Sequence, residues 1–147
     1  LKINLMKKKI INKIQVFKSK SFSNPLGDIT KLLTNDDKFF SKFGEAYISK
    51  INFKKIKGWK FHKLNNLNLF VISGEVHFVF LDINKKLHKA LIVSSKDAKR
   101  IFVPSGFYFA FRGISKKENT ILNIMDKKYN KFESMDIPIN DIFYTWK

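Results

Sequence analysis

The 147-residue sequence predicts a single all-β domain, a sandwich or barrel of short strands. Three observations carry this. Short runs of β-branched and aromatic residues recur at roughly 8 to 12 residue spacing, as in sheet sandwiches and barrels. The segments between them are mostly turn chemistry. Finally, 16 phenylalanines need an interior or a partner to cover them.

In chain order, residues 1–12 read as a basic arm and residues 13–147 as one folded domain. Ile14 to Phe17 reads as a short strand. Asn24-Pro25-Leu26-Gly27-Asp28 is a turn, because Pro presets φ and Gly and Asp tolerate unusual backbone angles. Thr34-Asn35-Asp36-Asp37 reads as a cap before a short helical turn near residues 36–43. Strand signals then follow at Ala46 to Phe53, Gly58 to Lys63 and Leu67 to Ile72, with Ser73-Gly74 as a turn. Val76 to Asp82 and His88 to Val93 flank a hairpin tip at Asn84-Lys85-Lys86. Arg100 to Val103, Phe107 to Arg112 and Thr120 to Met125 complete the set.

Composition excludes several classes of function. The chain has no cysteine, which removes disulfides, thiolate metal sites and cysteine nucleophiles. No apolar run approaches the roughly 20 residues of a membrane span. The N-terminal apolar residues are too interrupted for a secretory leader, so a cytoplasmic protein is expected. The net charge of +17 invites a nucleic-acid reading, but of 29 cationic residues only Arg100 and Arg112 are arginine. Arginine is the preferred residue for bidentate phosphate and base recognition, so nucleic acid is not the expected partner. A composition rich in Lys, Asn and Ile explains the charge without a selected surface. The acid-free cluster Lys2, Lys7, Lys8, Lys9, Lys13, Lys18 and Lys20 remains the one polyanion candidate.

Five segments occur in a telling order: Gly44 to Ser49, Lys57-Gly58-Trp59-Lys60-Phe61-His62-Lys63, Ser73-Gly74-Glu75-Val76, Val103-Pro104-Ser105-Gly106-Phe107, and Tyr129 to Glu133. In this order and spacing, the chain from about Leu26 to Trp146 resembles the dTDP-4-dehydrorhamnose 3,5-epimerases and the related nucleotide-sugar 3,4-ketoisomerases. The resemblance implies a cupin-type jelly-roll barrel, usually dimeric, acting on a nucleotide-linked 4-keto-6-deoxy sugar. The 4-keto group acidifies the protons on C3 and C5. The site then needs a base, a donor for the enolate, and cations for the diphosphate. No cofactor and no metal are expected, since three scattered histidines and no cysteine offer no ligand set.

Strand alternation puts Lys60 and His62 on one face and Trp59, Phe61 and Lys63 on the other. The resemblance implies His62 as a base; it also puts Lys60 where the epimerases carry theirs, and a buried lysine can serve if desolvation lowers its pKa. Glu45 and Tyr47 share a face of the preceding strand as acid and hydroxyl candidates. Asn123 replaces the catalytic tyrosine of the epimerases and keeps a polar group for a keto oxygen. Lys57 stands at the family's phosphate-contacting position, and Arg112 is a further cation at a strand end. Phe109 and Phe78 replace a pocket His and an Asp, and with Phe80, Phe107 and Phe111 they give the barrel an aromatic lining. His77, opposite in parity to Phe78, faces away from the interior, and His88 is expected to be exposed. The residues do not separate epimerase from ketoisomerase, because the diagnostic positions are the changed ones. The alternative is a cupin that binds a sugar nucleotide or a small apolar ligand without catalysis.

Overall fold

The computed structural model of the protein describes residues 12–147. All but the last residue of the basic arm expected over 1–12, Lys2, Lys7, Lys8 and Lys9 included, lies outside the described residues. Twelve strands follow in order: β1 Gln15–Lys18, β2 Lys20–Asn24, β3 Gly27–Lys31, β4 Glu45–Lys50, β5 Ile56–His62, β6 Leu67–Ser73, β7 Glu75–Leu81, β8 Leu87–Ser94, β9 Lys99–Val103, β10 Tyr108–Gly113, β11 Thr120–Met125 and β12 Ser134–Asp136. They form two five-stranded antiparallel sheets, ordered β1-β9-β6-β11-β4 and β12-β5-β10-β7-β8, with β2 and β3 as a separate hairpin. This is the all-β jelly-roll arrangement that the sequence predicts.

Alternation decides which face of each strand is buried. Leu67, Leu69 and Val71 of β6, Ile101 and Val103 of β9, and Ile121 and Met125 of β11 meet Val76, Phe78 and Phe80 of β7 and Phe109 of β10 between the sheets. The second sheet also buries its outer face. Trp59, Phe61, Val79, Leu81, Tyr108 and Ala110 pack there beneath Ile142, with Ile137, Ile139, Tyr144 and Trp146 around them. The Trp59 indole donates to the carbonyl of Ile139 at 3.2 Å, which fixes this C-terminal strap across β5. Both aromatic layers account for the phenylalanine-rich composition.

Two local expectations are revised. Residues 36–43 form hydrogen-bonded turns rather than a helical turn: Asp37 N–H donates to Thr34 O and Phe40 N–H to Asp37 O, each at 3.2 Å. The Asp37 carboxylate accepts from Thr34 N–H, and this contact closes the turn at the expense of a helix start. The single helical turns lie instead at Ser95–Asp97 and Ile139–Asp141. The turn read at Asn24 to Asp28 is the tip of the β2–β3 hairpin.

Candidate active site

The site grows from one irregularity in β5. Against β10, Lys60 pairs with Phe109 and Lys57 with Phe111, so three residues of β5 span two of β10. Such a bulge returns Lys57, Lys60 and His62 to one face, although simple alternation would separate Lys57 from the other two. Gly58 makes the bulge feasible. Its φ is +134°, and a Cβ there would lie 2.5 Å from the Ala110 Cβ. The three side chains therefore share the face turned toward the opposite sheet, His62 buried and Lys57 exposed beside the edge strand β4. Lys57 Nζ crosses the gap and donates to Ser49 Oγ at 3.1 Å.

His62 is 3% exposed. Its Nδ1 is bonded to Glu133 Oε1, a carboxylate that is itself 6% exposed. The other Glu133 oxygen accepts from the N–H groups of Leu64 and Asn65, each at 3.4 Å. A carboxylate at Nδ1 keeps the proton on that nitrogen and leaves the Nε2 lone pair available. Nε2 is buried and has no hydrogen-bond partner among the described residues. The ring stacks on Phe109 with centroids 6.0 Å apart and planes 15° from parallel. From Phe109 the aromatic contact continues to Phe80, then Phe78, then Phe111, at centroid distances between 6.0 and 6.3 Å.

Lys60 Nζ is 2.9 Å from Asp136 Oδ1 and lies 5.8 Å from the Tyr129 ring centroid. Glu45 accepts the backbone N–H of Tyr129 at 2.6 Å, closing this side of the cluster. On β11 the Asn123 amide donates to the Tyr47 hydroxyl at 2.9 Å. A hydroxyl that accepts this bond keeps its own proton to donate elsewhere. Asn123 Oδ1 is buried without a partner among the described residues.

Lys57, Lys60, His62 and Phe109 thus share one face of β5 and β10, while Glu45, Tyr47 and Asn123 lie on β4 and β11 of the opposite sheet. Arg112 is not among them. It pairs with His77 across β10 and β7, and its guanidinium donates to the Lys147 carbonyl at 3.3 Å, on the outer face under the strap. His77 faces outward as its parity predicts, with its ring against those of Tyr144 and Trp146. His88 is exposed.

Two residues escaped the sequence reading, Glu133 and Asp136, which anchor His62 and Lys60. Glu133 immediately precedes β12 and Asp136 ends it, a three-residue strand too short to show any periodicity. Their one signal was position: Glu133 ends the last of the five family-like segments. Among the described residues, no group of three or more His, Cys, Asp or Glu side chains could hold a metal ion.

No protein-family model and no curated protein matches the sequence. Solved structures do match its fold. A dTDP sugar isomerase from Desulfovibrio desulfuricans G20 superposes with a TM-score of 0.81 at 22% identity, covering 90% of each chain. The fold is that of the dTDP-sugar epimerases and isomerases. A dTDP-4-dehydrorhamnose 3,5-epimerase from Bacillus anthracis, solved with TDP and PPi bound, gives 0.79 at 16% identity over 92% of this chain and 86% of that one. A sugar 3,4-ketoisomerase from Thermoanaerobacterium thermosaccharolyticum, in complex with TDP, gives 0.74 at 13% identity over 84% and 87%. The cupin-type barrel implied by the sequence is therefore the fold of this chain.

Proposed function

We propose that this protein is an epimerase or ketoisomerase of a nucleotide-linked, dTDP-type 4-keto-6-deoxy sugar, with His62 as its base. One observation carries the reading: a buried imidazole whose Nδ1 is held by a buried carboxylate and whose Nε2 has no partner among the described residues. In that state Nε2 can take the proton from the carbon beside the keto group, and Glu133 stabilises the imidazolium that forms. The electron pair left behind moves onto the keto oxygen as an enolate. Lys60, already beside the site as a cation, is placed to stabilise that charge. Tyr47, oriented by Asn123, returns a proton to the opposite face or to the neighbouring carbon. Protonation of the opposite face gives epimerisation. Ketoisomerisation instead needs protonation at the neighbouring carbon and transfer of the hydroxyl proton. Lys57 offers a cation to the diphosphate, and Glu45 an acceptor to a sugar hydroxyl. The working form is a homodimer, and a cytoplasmic location suits a nucleotide-sugar substrate.

A second reading, binding without turnover, is favoured by the phenylalanine series. Phe78 and Phe80 are fully buried, and the family's polar positions at 78 and 109 are aromatic here. Product analysis separates the two. Incubation with dTDP-4-keto-6-deoxyglucose, followed by chromatography of the reduced sugars, yields a new isomer with the wild-type protein and none with His62→Ala. Tight binding with unchanged sugar would move the assignment to the binding-only cupin.

A further inference from the structure

A cleft of about 400 Å³ lies at the other edge of the first sheet, where β1, the base of the β2–β3 hairpin and the Thr34 to Lys38 turn come together. It is separate from the site above: β1 and β4 are the two opposite edges of that sheet. Its rim carries Lys18, Lys20, Lys31 and Lys38, and its one acid is Asp37. Arg100 also lines it, although that side chain is only 4% exposed.

Arg100 is the informative residue. The chain uses lysine for 27 of its 29 cations, so an arginine at a buried position points to a need for a planar fork. The guanidinium is held on three sides. Its carbon lies 4.4 Å from the Phe17 ring centroid, Nη1 donates to Asn68 Oδ1 at 2.7 Å, and Nη2 donates to Lys38 O at 3.0 Å. None of these partners is an anion. The ion pairs among the described residues are Lys50–Glu118, Lys60–Asp136, His62–Glu133 and Lys127–Asp126, and Arg100 is in none of them. The Asp37 carboxylate is engaged with Thr34 N–H at 2.7 Å. Burial lowers the pKa of Arg100, opposed by the charge of Asp37. A buried cation with no direct ion pair is costly, and Asp37 offsets that cost only through its charge, without a contact. A bound anion with several acceptor oxygens would lower it, and the fork geometry suits a phosphate. Phe17 and Leu32 add an apolar wall. The cleft volume falls in the range of roughly 300–1,000 Å³ common for small-molecule sites.

We propose that this cleft binds a small organic phosphate, the phosphate on Arg100 and the lysines and the organic part against Phe17 and Leu32. The site is distinct from the one containing His62, and the proposal stands whether or not the isomerase reading does.

The test is an NMR titration of the full chain at low salt with inorganic phosphate and with thymidine monophosphate. The expected result is saturable shifts of the Arg100 side-chain N–H and of Phe17 and Leu32, with tighter binding of the nucleotide. Replacing Lys31 and Lys38 together by Ala should weaken binding by about tenfold or more. Replacing Lys116 and Lys117 by Ala removes the same charge at a distant cleft that lacks arginine, and should change affinity by less than about twofold. Arg100→Lys keeps the charge but not the fork and should also weaken binding; should that variant not fold, the lysine pair decides. Equal losses from both lysine pairs, equal affinity for the two ligands, or shifts confined to Tyr47 and Tyr129 would each overturn the proposal.

Discussion

At His62, the imidazole becomes a directed base only because Glu133 occupies Nδ1. Glu133→Gln keeps the shape and can still hydrogen-bond, but it no longer stabilises the imidazolium. Turnover of the keto sugar should therefore fall on the order of 100-fold or more, with substrate binding little changed. A loss seen only in KM would contradict the role given to Glu133. His77, outside the site, reports on the fold instead. Burial first, and then the charge of Arg112, holds its pKa below the ordinary 6.5. Arg112 from β10 is the charged group acting on it, and it disfavours a second positive charge there. The unfolded chain therefore takes up a proton that the folded protein refuses. Stability should fall as pH drops from 6.5 towards the lowered pKa and level off below it. His77→Phe should flatten that part of the curve in denaturant titrations at several pH values. The Glu133 contact was not legible beyond the position of that residue at the end of a family-like segment, since an acid 71 residues from its partner leaves no periodic trace.

Strands with regular alternation were legible at the scale of elements. Phe78 and Phe80, or Leu67 and Leu69, each pair two residues apart, and both pairs lie in the core between the sheets. What alternation cannot carry is a change of register. The β5 bulge moves Lys57 onto the face of Lys60 and His62, and only the φ of Gly58 and its closeness to Ala110 require it. Gly58→Ala should cost roughly 1–3 kcal/mol from backbone strain alone, and more from the clash. It should also displace Lys57 and weaken nucleotide-sugar binding. Unchanged melting and binding would refute the bulge as the source of the site. The β2–β3 hairpin shows a different limit: its turn was legible, but its strands bury no face and so carry no pattern. The C-terminal strap depends on Trp59, which is fully buried. Trp59→Ala should cost about 3–5 kcal/mol in urea unfolding, the usual range for removing a large core aromatic.

Over the whole molecule, apolar surface is left uncovered on the first sheet. Ile48 and Ile72 are exposed on its outer face, and Phe22, Leu26 and Ile29 are exposed on the hairpin. A homodimer is proposed from the resemblance to the epimerases, and these exposed apolar residues are the surface offered to it. Light scattering should give twice the chain mass, and Ile48→Lys with Ile72→Lys should halve it. A monomeric wild type would remove the dimer from the account. No helix among the described residues is long and apolar enough to cross a membrane. Proton abstraction by His62 is open to test by deuterium exchange. In deuterium oxide with dTDP-4-keto-6-deoxyglucose, proton NMR should show loss of the C3 or C5 signal with wild-type protein and retention with His62→Ala. Retention with the wild type, while the nucleotide sugar is demonstrably bound, would contradict it.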